Sequence, residues 1–232
     1  MTADAAPRRL GDETWRDAAA AGRRLLAVPL GSTEQHGPHL PLATDTIVAA
    51  ALADRLAAAR HDVVVAPALP YGSSGEHAGF PGTLSIGQAA LEAVVVELVR
   101  SADAFAGVVL VSGHGGNAEP LDRAVATVRS EGRRALAWVP AVPGGDAHAG
   151  HTETSLLLAL APRAVRAAAA EPGDVRPLDE IMPALRSGGV AAVSPNGVLG
   201  DPTGANAAEG ERLLDALAVD LAQAVAAWAP LP

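Results

Sequence analysis

The chain has no cysteine in its 232 residues. That excludes disulfides, thiolate zinc sites, iron–sulfur clusters and cysteine nucleophiles together, so any metal must be held by imidazole and carboxylate. Aromatic residues are scarce: three tryptophans, two phenylalanines and one tyrosine. So few rings offer no platform for stacking nucleic-acid bases. Positive charge is in deficit, with 17 Lys and Arg against 26 Asp and Glu and a formal net charge of −9. That balance argues against a nucleic-acid partner. No apolar run is long and uninterrupted enough to span a bilayer. The opening MTADAAPRRLGDETW lacks the apolar core of a signal peptide. The expectation is a soluble cytoplasmic protein with neither nucleic acid nor membrane among its partners.

What is present is organised around Val28–Thr46, VPLGSTEQHGPHLPLATDT. This stretch follows the apolar run Leu25–Leu30 and carries Glu34, His36, His39 and Asp45 close together. Pro38 and Pro41 stiffen it, since each fixes its own φ and keeps its predecessor extended. Glu34 and His36 are two apart and share a face of an extended segment. Asp45 falls in the first turn of a predicted helix, Thr44–Arg60, where the helix dipole favours a carboxylate. A stiff loop with Glu, His and Asp suits either a divalent cation or a hydrogen-bonded surface turn, and both readings stay open at this level.

Apolar runs at Arg24–Leu30, Asp62–Pro67, Gly107–Val111 and Arg134–Pro140 read as strands. They alternate with helical patterns over Asp12–Ala21, Thr44–Arg60, Ser85–Ala102 and the stretch after Asn117 to Glu131. Ser85 with Gln88 forms a capping-box pattern, and Asn206 with Glu209 caps a final helix. The alternation predicts a three-layer α/β/α sandwich with a mostly parallel sheet. A single domain over 1–232 is expected, with 1–10 a loose tail. Residues 163–202 give no clear pattern beyond a turn-rich stretch, 194–204, expected to rim a pocket or a subunit contact.

Three further stretches carry chemistry. Ala68–Thr83, ALPYGSSGEHAGFPGT, is a long loop with the pair Glu76–His77. It reads as a packed Ω-loop or as a wall of a substrate pocket. The strand Gly107–Val111 runs directly into SGHGGN, whose spacing matches neither a Walker nor a dinucleotide loop. His114 thereby sits at the C-terminal end of a buried strand, the edge where ligands gather in open α/β sheets. If the first and third strands are parallel members of one sheet, Glu34, His36, Asp45 and His114 converge. AHAGHTETSLLLAL then places His148, His151 and Glu153 at the start of a helix, with 148 and 151 on one face.

The ordered set GSTEQHGPHLPLATD, YGSSGEHAGFPGT, GHGGN and HAGHTETS resembles the creatininase family of metal-dependent amidohydrolases. The resemblance implies a parallel-sheet α/β/α fold, a site for two divalent metal ions and a homo-oligomer, commonly a hexamer. By matched position it implies Glu34, His36, Asp45 and His114 as metal ligands, with Asp45 bridging, and His148 as the catalytic histidine. The chain departs from creatininase proper at Gly116, where a ligand glutamate is missing. In relatives with GHGGN the carboxylate comes from the later motif, so Glu153 is expected as a ligand and catalytic carboxylate, with His151 as the next candidate. Glu76, His77, Gly115, Gly116 and Asn117 are expected on the substrate side. Zinc, iron and manganese all accept this donor set. Two such cations about 3.5–4 Å apart can share a hydroxide and lower its pKa toward neutrality.

Creatinine itself is not the expected substrate, because the loop at 140–148 lacks the tryptophans that close over it. The tail PLDEIMPALRSGGVAAVSPNGVLGDPTGANAAEGERLLDAL resembles the mycofactocin-system subfamily. That resemblance implies a peptidase that removes most of a modified precursor peptide and releases its C-terminal Val–Tyr-derived unit. The alternatives are a small-molecule amidohydrolase, such as a formamide or lactam hydrolase, and a metal-stabilised scaffold without turnover.

Overall fold

The structure is a computed structural model that describes residues 7–229, so the tail reading for residues 1–6 lies outside the described residues. Strands β1 (Leu25–Leu30), β2 (Val63–Val65), β3 (Gly107–Ser112) and β4 (Ala135–Trp138) form one parallel sheet in the order β2-β1-β3-β4. The helices are α1 (Trp15–Ala20), α2 (Thr44–Ala59), α3 (Gly87–Ser101), α4 (Ala118–Ser130), α5 (His151–Leu160), α6 (Leu178–Val193) and α7 (Ala207–Trp228). Strands covered on both faces need apolar side chains throughout, which is why they read as unbroken apolar runs. Alternation along each strand sorts those side chains between two cores. Leu25, Ala27, Val109 and Val111 pack with α2, α5 and α7. Leu26, Val28, Leu30, Val108 and Leu110 pack against α3 and α4.

This topology fixes where a ligand can bind. From β1 the chain moves to β2 on one side, and from β3 it moves to β4 on the other. The crevice between the C-terminal ends of β1 and β3 is therefore a switch point. Gly113, just past β3, makes the crevice tight, because a Cβ there would collide with the backbone carbonyl of Asp45. Bare backbone at this position lets the first turn of α2 rest on the sheet edge and delivers Asp45 between the two strand ends.

Several local expectations change. Val65 N–H donates to the Arg8 carbonyl at 2.9 Å and Arg9 bridges to Val65, so Arg8–Leu10 cover the outer edge of β2 instead of forming a loose tail. A capping box between Thr14 and Asp17 starts α1 later than predicted. The box expected at Ser85 and Gln88 does not form; Ser85 Oγ accepts from Ser74 N–H at 2.9 Å and from Gly87 N–H at 3.2 Å. Its hydroxyl is recruited to tie down the preceding loop. Asn206 caps α7 as expected, accepting from Glu209 N–H at 2.9 Å. Within the unreadable region lies α6, interrupted by Pro183 and kinked at Gly189 (φ 70°). Its Ile181 and Val190 join Leu199 in a small satellite cluster apart from the two main cores. Among the described residues, no helix is long and apolar enough to cross a membrane.

Candidate metal centre and substrate cavity

Glu34, His36, Asp45 and His114 meet at the β1–β3 crevice. Asp45 Oδ1 lies 3.0 Å from His36 Nε2, and its Oδ2 lies 3.4 Å from His114 Nδ1. One carboxylate thus faces two imidazoles with a separate oxygen for each. Glu34 Oε1 is 3.2 Å from His114 Nδ1. All four residues are buried. Backbone carbonyls orient both rings: His36 Nδ1–H donates to Glu34 O at 3.1 Å, and His114 Nε2–H donates to Ser73 O at 2.9 Å. In the neutral rings this aims the lone-pair nitrogen at the carboxylates, the way outer hydrogen bonds orient metal-binding histidines.

Glu153 reaches the same place from the first turn of α5. Its Oε2 lies 3.8 Å from His36 Nε2 and accepts from Ala149 N–H at 2.6 Å. His148 is anchored through Nε2–H to the Gln35 carbonyl at 2.9 Å, which leaves Nδ1 at 3.9 Å from Glu34 Oε1 and 4.0 Å from Glu153 Oε2. Its backbone pairs with Leu199, and Ala149 (φ 53°) then turns the chain into α5. His148 therefore precedes the helix, and it does not share a helical face with His151. His151 lines an adjoining groove and joins no ligand cluster among the described residues.

The electrostatics show what the cluster is short of. Burial pushes Asp45 up to about 6, against the pull of His36. Burial also penalises the Glu34 carboxylate, yet His114, His77 and His36 together hold it well below the usual range. Burial would lower His36 and His114, but Asp45 lifts the first to about 10, and Glu34 with Asp45 lifts the second to about 10. Burial, reinforced by neighbouring imidazoles, depresses His77 and His148 to about 3. Glu153 is raised by burial. Among the described residues, both Glu34 oxygens and Asp45 Oδ2 lack any hydrogen-bond partner. Buried carboxylates of this kind are expensive without a compensating cation.

The donor set fits divalent cations. Ligand atoms of Glu34, Asp45 and His114 lie within 4.8 Å of one another, and so do those of His36, His148 and Glu153. Asp45 belongs to the first group and touches His36 of the second. A third group of Glu34, His77 and His148 meets the same limit.

A cavity of about 440 Å³ opens above this cluster. Asp45, His114, Glu153 and His148 form one end, and α6 forms much of the other. Glu76 and His77, in a 3₁₀ turn (Gly75–His77), also line it, as do Gly115 and Gly116. His77 serves both readings of its loop, since it is buried with Nδ1 accepting from the Gln35 amide at 2.9 Å. Glu76 Oε1 lies 3.6 Å from His114 Nε2. A Cβ on Gly116 would fall 2.5 Å from that Glu76 oxygen. The same Cβ would also collide with His114 Nε2 and the Ser73 carbonyl, so the space a side chain at 116 would need is closed by all three groups together.

Asn117 does not line the cavity. Its amide accepts from Ser73 N–H at 3.0 Å and donates to Gly31 O at 3.1 Å, tying loops together. His39 is likewise internal, paired with Thr154 Oγ1 at 2.8 Å. Sequence reasoning missed Gln35, which bonds His77, His148 and the Gly197 carbonyl at 3.0 Å. The signal was present: in an extended segment Gln35 points opposite to Glu34 and His36, toward a second set of partners. It also missed the wall contributed by α6.

Known proteins resemble this chain along most of its length. The family described as creatinine amidohydrolase matches residues 11–225. A mycofactocin precursor peptide peptidase of Mycolicibacterium smegmatis is 54% identical over 231 residues, covering 97% of this chain and 93% of that protein. A mutant creatininase structure described as the Zn-Zn type has a TM-score of 0.76 at 28% identity, over 95% of this chain and 98% of that one. The structure described as Creatininase Mn gives 0.78 at 27% identity, over 97% and 100%. The chain belongs to the creatininase family.

Proposed function

We propose that this protein is a metal-dependent peptidase that cleaves a modified precursor peptide in mycofactocin maturation and releases the C-terminal Val–Tyr-derived unit. The observation that carries the metal-dependent chemistry is Asp45, buried between His36 and His114 at the floor of a ligand-sized cavity, with one oxygen that finds no hydrogen-bond partner among the described residues. The 54% identical relative supports the choice of substrate. Glu34, Asp45 and His114 would hold one divalent cation, and His36, Asp45 and Glu153 a second. Zinc, iron and manganese suit these donors, and the two creatininase structures are described with zinc and with manganese. When bound, such ions supply Lewis acidity and lower the pKa of water.

The remaining roles fall to the chain itself. His148 is held by Gln35 with Nδ1 facing the cluster, which suits it to give a proton to the leaving amine. The Gly115–Gly116 turn offers backbone N–H groups to the scissile carbonyl oxygen. Ala149 N–H fixes the Glu153 carboxylate. The family resemblance supports a homo-oligomer, commonly a hexamer. Mass spectrometry of the modified precursor after incubation with metal-loaded protein tests the reading. Two fragments are expected, and none with chelator-treated protein. An intact precursor under metal-loaded conditions, with turnover of a small lactam or formamide instead, would replace it.

A further inference from the structure

The cavity has two unlike ends. The polar end is the cluster already described. The other is a stripe of Leu178, Met182 and Leu185 from α6, with the single charged side chain of Arg186 beside it. Positions 178, 182 and 185 follow helical spacing and share one face. Leu178 is 45% exposed, and neither main core includes these three side chains. The stripe is nevertheless held firmly in place. Ile181 and Val190 are buried against Leu199 beneath it. At the kink, a Cβ on Gly189 would fall 2.6 Å from the Glu76 carbonyl oxygen, so α6 is pressed onto the loop that carries Glu76 and His77. A fixed apolar stripe facing a cavity, opposite a few convergent polar groups, is the make-up of a small-ligand site.

We propose that the α6 stripe is the subsite for the released side of the scissile bond, holding a short, apolar C-terminal unit while the longer N-terminal part leaves through the mouth. This rests on the peptidase reading. Size decides the orientation. A cavity of about 440 Å³ closes around one or two residues and cannot take the bulk of a precursor. At Ala147, Leu178 and Leu199 the cavity adjoins a second groove of mixed lining, where Asp146, His151, Asp174 and Arg176 offer polar contacts to a solvated chain. In the hydrolysis, the oxygen of water joins the carbonyl carbon of the N-terminal part and the C–N bond breaks. The bonding electron pair stays on nitrogen, which takes up a proton. The released unit then has its new amine at the polar end beside His148 and its apolar body on α6.

Two measurements on the metal-loaded full chain test this. The first is equilibrium binding of Val–Tyr amide to the wild type and to Leu178→Ala, Met182→Ala and Leu185→Ala. Each variant is expected to bind about tenfold more weakly, the scale on which hydrophobic pockets sense a few methylenes. Met182→Leu is expected to bind as the wild type does, and unchanged far-UV circular dichroism establishes that each variant is folded. The second is the kcat/KM ratio between peptides ending in Val–Tyr and in Ala–Ala. The wild type is expected to favour Val–Tyr, and Met182→Ala to shrink that preference about tenfold. Folded variants that bind Val–Tyr amide like the wild type, or that lose affinity for the N-terminal fragment instead, would overturn the subsite. A wild type that binds Val–Tyr amide through α6 yet cleaves no peptide would leave α6 as an apolar binding surface but remove the peptidase reading and, with it, the assignment to the released side of a scissile bond.

Discussion

The floor of the cavity and its α6 wall are built by opposite rules. The floor is polar and buried, and it comes from segments locked to the ends of β1 and β3, joined by His148 just before α5 and Glu153 in its first turn. His36, His114 and His148 are each aimed by a backbone carbonyl. The wall is mostly apolar, with Arg186 its one charged side chain, is partly exposed, and packs on a satellite cluster of its own. In a buried polar cluster every group depends on its neighbours, because an uncompensated charge is costly. An apolar wall tolerates repacking if its volume is kept. On the proposed reading the difference separates two tasks: the floor would set the chemistry, and the wall would set which substrate reaches it.

Substitutions should divide along the same line, with the largest effects on the floor. Asp45→Asn removes the group shared by both proposed metal positions, so it should abolish turnover and strip bound metal, as read by elemental analysis. His148→Ala should keep both metals and lower kcat by about 10²–10⁴-fold, the usual contribution of a general acid. A substrate with a better leaving group should recover part of that loss. Loss of a metal would make His148 a ligand, a role its distances to Glu34 and Glu153 also suit. Glu153→Gln should lower the occupancy of one metal more than the other; equal retention of both would count against its assignment. For stability, Gly113→Ala should cost about 1–3 kcal/mol as an overpacking defect against Asp45. Leu185→Ala on the wall should cost less, about 1 kcal/mol. Thermal denaturation of the two variants side by side checks that order, and a reversed order would erase the contrast between floor and wall.

The same contrast runs through what could be read from sequence. The strands were legible because two-sided burial demands unbroken apolar runs, and Asp45 was legible as a carboxylate at a helix start. The convergence of Glu34, His36, Asp45 and His114 followed once β1 and β3 were taken as parallel neighbours. Residues set by long-range packing were not legible. Helix α6 was hidden because Pro183, Gly188 and Gly189 interrupt its pattern and its apolar stripe faces a cavity, not a core. The turn before α5 was hidden because Ala149 carries no turn signal yet adopts a positive φ. The family resemblance implied a missing carboxylate at Gly116, but nothing local showed that His114, Ser73 and Glu76 close the space there. Ser85 had a capping partner in sequence and lost it to Ser74 in space.

The most direct test of the account is anomalous diffraction from crystals grown with zinc or manganese. Two peaks are predicted, one at bonding distance from Glu34, Asp45 and His114 and the other from His36, Asp45 and Glu153, about 2.0–2.2 Å from their donor atoms in the case of zinc. Both should share Asp45. A single peak, or a peak held by Glu34, His77 and His148 with Asp45 unliganded, would contradict it.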